Sequence, residues 1–465
     1  MKNLLLISIE DQNDWAEPFG GHPQAHTPNM MRLARRGTVF GQAYAAAPAC
    51  SPARTAALFS KWPWETGIYT NRHEWHHHFE KGGHKSLIGR LRDAGMTTIG
   101  SGKIFHDTFI EGIDLADWDD FFLAHHVEHA PKSKACKAGG FWPRADFGID
   151  DSGIPSFDDR NLDWMLQKIQ PGMTNTAWAF GTFRPHLPFI VPKEFFDIFP
   201  DEVQNPPGLG MDEFDPHNIS TQRDLRKGGK LFAKSVSKSG RVLNRFGEYN
   251  FFVKSYLAAI AYADSILGKL LDRMEECGLW DETLIVLWTD HGWQLGEKLC
   301  FRKFTLWERA LHVPFIFSGA DIPTARIEVP VSTVDMAPTI LSLLGLPEEK
   351  DFSGQDLAPT IRSGKPPARD HAPSYWVAAV KGEEDTTGIS IRSERYRYIE
   401  YWNGNRELYD HADDPWEYRN LALPKRSDEV TEGIMAELGA PLELIKRNAR
   451  PAKPTGIDRE TVDDD

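Results

Sequence analysis

The sequence predicts an α/β protein: a large mixed, mostly parallel sheet sandwiched by helices, with a smaller C-terminal α+β part that holds a short antiparallel sheet. Three observations carry this expectation. Leu4 to Ile9 and Thr283 to Trp288 are continuous apolar runs, the pattern of strands covered on both faces, and each is followed within two residues by an acid. Segments of helical periodicity separate such runs, as in βα alternation. Beyond residue 386 the chain turns to short strand-like runs with turns between them. At 465 residues the chain exceeds one ordinary core, so a large domain over 1–355 and a smaller one over 356–465 are expected.

Hydrophobic residues at 41% and charged residues at 26% are globular proportions. The net charge of −14 argues against a general nucleic-acid binder, because a phosphate backbone needs a basic face. Any anionic substrate must meet a local positive pocket. The four cysteines, at 50, 136, 277 and 300, show no CxxC spacing, so neither a disulfide framework nor a zinc ribbon is expected. The apolar start is too short for a signal peptide and runs at once into Glu10, Asp11 and Asp14, and no apolar run reaches membrane-spanning length. A cytoplasmic location without membrane contact is the expectation, or a periplasmic one if the sequence is that of a trimmed chain.

The first strand ends in Glu10-Asp11, at the sheet edge where open α/β folds bind ligands. Two adjacent carboxylates there suit a hard divalent cation such as Ca²⁺ or Mg²⁺, and Asp14 in the same loop is a spare ligand. Thr27-Pro28-Asn29 opens a helix with Thr27 as its cap, and Gly37 stops it. A run of small residues from Ala43 to Ala49 then leads to Cys50-Ser51-Pro52-Ala53-Arg54 and a helix through Phe59. With Cys50 at the helix start, Arg54 lies one turn on, over the same spot. The thiol would occupy an anion-binding position beside a fixed cation, which is the setting of an activated nucleophile.

Cys-x-Pro-x-Arg is also the signature of the type I sulfatases, members of the alkaline phosphatase superfamily, which this chain resembles. The resemblance implies that Cys50 is a precursor, oxidised to formylglycine (3-oxoalanine) by a maturation enzyme. It also implies that the hydrated aldehyde is the nucleophile: one hydroxyl attacks sulfur, and the second, deprotonated, expels sulfate and regenerates the aldehyde. Thr27-Pro28-Asn29, Leu33-Ala34 and Gly37 stand between the first acids and the cysteine as they do in that family.

Residues 73 to 77, His-Glu-Trp-His-His, spell H-E-x-x-H, but no apolar stripe sustains a helix, so a histidine-rich loop near the substrate, through His78, is expected rather than a zinc site. Ser86 to Ala94 reads as a helix and Met96 to Ile99 as a strand, followed by Gly100-Ser101-Gly102-Lys103-Ile104-Phe105-His106. Thr97 and Ile104 break a P-loop. The segment resembles the sulfatase loop that reaches nucleophile and sulfate. Its Gly-Lys-Ile-Phe-His is one residue longer than the usual Gly-Lys-Trp-His, as in the iduronate-2-sulfatase-like branch. The resemblance makes Lys103 a sulfate ligand and His106 the base for the second hydroxyl, with Arg54 holding the hydrate. Asn161 to Ile169 is helical, and the strand Ala177 to Phe183 leads into Arg184-Pro185-His186-Leu187-Pro188. Flanking prolines hold His186 on a stiff loop, which suits a fixed hydrogen-bond donor, and the family's Pro-His-x-Pro step binds sulfate.

Residues 205 to 246 are locally basic, with Arg223, Arg226, Lys227, Lys230, Lys234, Lys238 and Arg241, and are expected to help attract an anionic substrate. Phe252 to Leu271 is a long helix, and the next strand runs into Thr289-Asp290-His291-Gly292. Glu10, Asp11, Asp290 and His291 make a mainly oxygen ligand set, completed by position 50 and the sulfate, which suits Ca²⁺ better than zinc. The family usually has two aspartates where this chain has Glu10 and Asp11. Gly296-Glu297-Lys298, Lys303 to Glu308 and Val313-Pro314 look like the family's run after Asp-His-Gly, which gives Lys303 its lysine position at the sulfate. Lys303 or His186 would then protonate the leaving oxygen. Thr333 to Thr339 opens a further helix, and Ile389 to Ile391, Tyr396 to Tyr401 and Glu407 to Tyr409 are short strands before a helix over 428–447.

The implied activity is hydrolysis of a sulfate monoester, of a 2-O-sulfated uronic acid or related sulfated sugar, or of an aryl or alkyl sulfate. The alternatives are a phosphodiester or phosphonate monoester hydrolase of the same superfamily, and a non-catalytic metal-binding relative in which Cys50 stays a thiol.

Overall fold

The computed structural model describes residues 2–73, 75, 84–106, 114–124, 136–137, 146–206, 248–377 and 386–451. Glu74, His76, His77 and His78 of the histidine-rich string, the basic residues from Arg223 to Arg241 and the acidic end 452–465 lie outside the described residues.

Among the described residues eight strands form the central sheet: β1 (Asn3–Ile9), β2 (Gly37–Phe40), β3 (Thr97–Gly102), β4 (Asp120–Phe122), β5 (Thr176–Thr182), β6 (Thr283–Thr289), β7 (Phe315–Gly319) and β8 (Ala325–Ile327). Their order is β8-β2-β7-β6-β1-β5-β3-β4, and only β7 runs antiparallel to its neighbours β6 and β2. The expected mixed, mostly parallel sheet is what forms. β1 lies near its middle, and Ile9 pairs with both Thr289 and Thr182. Three strands therefore stop level, and the loops that follow them open at one edge.

The helices that build the cores and carry part of the site are α1 (Pro28–Arg35), α2 (Cys50–Phe59), α3 (Leu87–Asp93), α4 (Phe157–Lys168), α5 (Tyr249–Glu276), α6 (Met336–Leu343) and α7 (Glu429–Asn448). The pleat sends Leu4 and Leu6 into a core shared with α2, α3 and α6, and Leu5, Ile7 and Ile9 into one shared with α1, α4 and α5. Covering both faces is why the strand reads as apolar throughout. α5 is long and apolar enough for a membrane span, with a mean hydropathy of 1.2 over its most apolar 18 residues, but 83% of that window is buried in the protein. Leu267, 1% exposed among α5's core residues, would cost about 2–5 kcal/mol if cut to alanine.

Local details depart from expectation for physical reasons. Thr27 does not cap α1 with its side chain; its Oγ1 accepts from Glu17 N at 2.8 Å instead. Asp264 on α5 takes over, accepting from Asn29 N (2.9 Å) and Met30 N (2.8 Å), where a carboxylate meets the positive end of the helix. α4 starts four residues before Asn161 because Ser156 and Asp159 form a capping box.

A second sheet is an antiparallel meander of β9 (Ala372–Val377), β10 (Thr387–Arg392), β11 (Tyr396–Tyr401) and β12 (Arg406–Asp410). It contains the three expected runs and one more strand. α7, capped by Asp428, covers one face with Met435, Leu438, Leu442 and Ile445. From the other side Trp376, Ile399, Tyr401 and Tyr409 join the core of Leu4 and Leu6, as does Leu357, so residues on both sides of position 355 share one hydrophobic cluster.

Candidate active site

α2 begins at Cys50, with Ala49 still extended (φ −153°, ψ 146°), and all ten of its residues are buried. Alanine cannot cap, so a later loop does it from outside: Asn71 Oδ1 accepts from Ser51 N at 3.1 Å, and Ser51 Oγ donates to His73 O at 2.7 Å. His73, the first histidine of the H-E-x-x-H string, accepts at Nδ1 from Tyr69 N (3.0 Å) and Thr70 N (3.2 Å). That atom folds a loop.

The level strand ends bring their loops to the thiol. Lys303 Nζ donates to Cys50 Sγ at 2.8 Å and to Asp11 Oδ1 at 3.2 Å, and His291 Nε2 lies 3.2 Å from the sulfur. Asp11, at a left-handed φ of 56°, donates its N–H to Asp290 Oδ1 at 3.0 Å and has its carbonyl held by Tyr256 Oη at 2.7 Å. Two sets of ligand-type atoms, Glu10/Asp11/Cys50/His186 and Asp11/Cys50/Asp290/His291, each lie within 4.8 Å of one another. His291 Nδ1 faces Gly292 O at 3.0 Å, so this nitrogen carries the proton and Nε2 offers its lone pair to the cluster. His186 is oriented the same way, Nδ1 on Leu187 O at 2.7 Å and Nε2 3.7 Å from Asp11 Oδ2.

Cations balance the acids. Arg54 donates Nε to Asp290 Oδ2 (3.0 Å) and Nη1 to Ser8 Oγ (2.9 Å), Lys103 O (2.9 Å) and Ile104 O (3.0 Å). Lys103 pairs with Glu10. Burial pushes the Asp11 carboxyl up to about 7 against the pull of Lys303 and His291. Burial would also raise Asp290, but Arg54 and His291 outweigh it and hold that carboxyl below its ordinary range. Lys303 is the mirror case: burial would lower it, and Asp11 and Cys50 hold it up and charged.

The arrangement fits a divalent cation. Glu10 is fully buried, and its Oε2 has no hydrogen-bond partner among the described residues; Arg54 Nη2 is likewise a buried donor without one. A buried carboxylate oxygen left over beside Asp11, Asp290 and a deprotonated ring nitrogen is an oxygen-rich donor set for a hard cation.

Of the residues expected at the site, Glu10, Asp11, Cys50, Asp290, His291, His186, Arg54, Lys103 and Lys303 are brought together. His106 is partly buried and closes the described part of the Lys103 loop. Asp14, the spare ligand, is a correction: it turns away to pair with Arg309 and to face His312 Nδ1 at 3.5 Å, so its charge is already met. Sequence reasoning missed Ser8, Tyr256 and the two carbonyls that hold Arg54, none of which carries a motif. It also missed Gly181, where a Cβ would fall 1.9 Å from Lys103 O; only glycine lets β5 approach the Lys103 loop so closely.

Comparison with known proteins agrees with this geometry. A sulfatase family model matches residues 2–346, and a model for the C-terminal part of N-sulphoglucosamine sulphohydrolase matches residues 296–443. A sulfatase of Formosa agariphila is 29% identical, covering 94% of this chain and 86% of the relative. Human iduronate 2-sulfatase is 27% identical, covering 68% of this chain and 59% of the relative. Among solved structures, a phosphonate monoester hydrolase of Agrobacterium radiobacter superposes with a TM-score of 0.74 at 18% identity, covering 96% of each chain. The chain belongs to the sulfatase family, on an alkaline-phosphatase-like fold, and is a sulfuric ester hydrolase.

Proposed function

We propose that this enzyme removes the sulfate from a 2-O-sulfated uronic acid or a related sulfated sugar, with Cys50 converted to formylglycine by a maturation enzyme and a divalent cation bound, calcium in preference to magnesium. The observation that carries the reading is the surroundings of Cys50: a buried helix start, two lysines, an arginine and two histidines, and a carboxylate cluster with one oxygen left over. The iduronate 2-sulfatase relative supports the sugar and the position of its sulfate.

Glu10, Asp11, Asp290 and His291 would hold the cation, which would supply positive charge for the sulfate oxygens. Formylglycine would supply, through its hydrate, the attacking hydroxyl and a second one whose ionisation frees the sulfate. The chain's own residues do the rest. Lys303 and Lys103, kept charged by Asp11 and Glu10, bind sulfate oxygens as their charge spreads. Arg54 fixes Asp290 and presents Nη2 as a donor toward the modified side chain. His106 takes the proton of the second hydroxyl, and Lys303 or His186 returns one to the leaving oxygen.

The test is the mass of the tryptic peptide containing residue 50, from protein made with a formylglycine-generating enzyme, together with sulfate release from sulfated uronates. An aldehyde mass with turnover supports the reading. A plain thiol with no sulfate released removes it and favours the non-catalytic metal-binding alternative. A second reading, phosphonate or phosphodiester hydrolysis, is favoured by the superposition on the Agrobacterium enzyme. Rates on sulfate and phosphodiester substrates with one leaving group separate the two.

A further inference from the structure

Resting on the metal-bearing sulfatase reading, we infer that Tyr256 of α5 is a positioning residue: its hydroxyl holds the turn Asp11-Gln12-Asn13 so that the Asp11 carboxylate faces the cation. The turn needs a holder. Asp11 sits at a left-handed φ of 56°, which costs free energy for any residue with a Cβ and persists only where the surroundings impose it. Its carboxylate is closely placed all the same, with Oδ1 3.2 Å from Lys303 Nζ and 3.3 Å from His291 Nε2.

Side chains from other elements meet the main-chain polar groups of this turn. Asp290 Oδ1, just after β6, accepts from Asp11 N at 3.0 Å, and Thr289 Oγ1 donates to Gln12 O at 2.9 Å. Tyr256 Oη meets two groups at once: it donates to Asp11 O at 2.7 Å and accepts from Asn13 N at 3.2 Å. Relaxing Asp11 to an ordinary negative φ would turn its Cβ and its carbonyl together about the N–Cα bond. Holding the carbonyl therefore also holds the carboxylate.

The ring does not need this hydroxyl for packing. Tyr256 is fully buried, its ring against Trp15 (centroids 5.5 Å apart) and Phe189 (5.0 Å), contacts that a phenylalanine would keep. Only the hydroxyl reaches the turn, and without it two main-chain groups in buried residues lose a partner. Groups that orient a metal ligand in this way commonly carry about tenfold or more of the metal affinity.

The experiment titrates Ca²⁺ into chelator-treated native protein, Tyr256→Phe, Thr289→Val and Tyr262→Phe by isothermal titration calorimetry, and follows kcat and KM against Ca²⁺ concentration. Tyr262 lies on the same helix but its hydroxyl meets Ser156 Oγ at 2.6 Å, so this variant controls for the loss of a buried phenol hydroxyl. We expect Kd to rise about tenfold in Tyr256→Phe and about threefold in Thr289→Val, and to stay within about twofold of native in Tyr262→Phe. In Tyr256→Phe, excess Ca²⁺ should restore kcat while KM for the sulfate ester holds. Thr289→Val keeps the test standing even if Tyr256→Phe folds poorly. A native Kd in folded Tyr256→Phe, a native Kd in Thr289→Val where Tyr256→Phe does not fold, or an equal rise in Tyr262→Phe overturns the inference. A native protein that binds neither Ca²⁺ nor Mg²⁺ removes the metal-bearing reading itself, and this inference with it.

Discussion

Two of the clusters of buried charge among the described residues resemble each other until their lone pairs are accounted for. At the strand ends stand Glu10, Asp11, Asp290, His186 and His291 with Arg54, Lys103 and Lys303; beside the second sheet stand Glu308, Glu417 and His411 with Arg392 and Arg397. Both bring three or more ligand-type atoms within 4.8 Å of one another. In the second cluster every acid is taken. Arg397, fully buried, donates to Glu417 at 2.6 Å and to Ser390 Oγ at 2.8 Å and pairs with Glu308, while Tyr44 donates to Glu308 at 2.9 Å and His411 reaches Glu417 at 3.0 Å. In the first, Glu10 Oε2 and Arg54 Nη2 are left over. Proximity of carboxylates alone does not mark a site; what separates these two clusters is the carboxylate oxygen left over at Glu10.

Cys50→Ala breaks the comparison at its chemical end. It should lower sulfate release by about 10⁴-fold or more while circular dichroism keeps the native fold. Arg397→Ala tests the other end: it removes the buried guanidinium that Glu308 and Glu417 share and should cost about 3–5 kcal/mol in chemical denaturation, with kcat of the folded enzyme unaltered. A loss of activity at constant stability would mean that the second cluster is not purely structural.

Acid sharpens the same contrast. Burial alone would raise the Glu417 carboxyl from 4.5, but Arg397 and His411 hold it at about 2. A depressed carboxyl contributes stability above its unfolded value and loses it as pH falls through the folded one. The gap in unfolding free energy between the native chain and Glu417→Gln should therefore be widest above pH 4.5 and close toward pH 2, by on the order of 3 kcal/mol. Glu10→Gln should lower kcat about 100-fold and deplete divalent metal in elemental analysis relative to the native protein. His411→Gln should leave the metal content as it was.

Much of the first cluster is legible in the chain. Glu10-Asp11 and Asp290-His291 each follow an apolar run that could only be a covered strand, and Cys50 with Arg54 occupies the start of a helix whose sequence is otherwise small and apolar. The second cluster is not legible, because its members come from segments with no common motif and meet only when Arg397 of β11 reaches Glu308. The same limit explains Asp14: nothing local separates it from Asp11, and only the arrival of Arg309, 295 positions later, decides that its charge is used elsewhere. Thr27 fails as a cap for a related reason, since Asp264 reaches the helix end from α5. Strand β7 lies antiparallel among parallel neighbours, and burial patterning alone carries no direction.

Residue order alone specified the covered strands with acids after them, Cys50 at a helix start and the order of the lysines and histidines around it. Those properties rest on apolar periodicity and on neighbours within one turn, which act over a few residues. The level ending of β1, β5 and β6, the exhaustion of Asp14 and the surplus valence of Glu10 belong to the tertiary structure. They depend on strand register and on partners hundreds of residues away, and no local propensity encodes which lone pair stays free once the chain has closed.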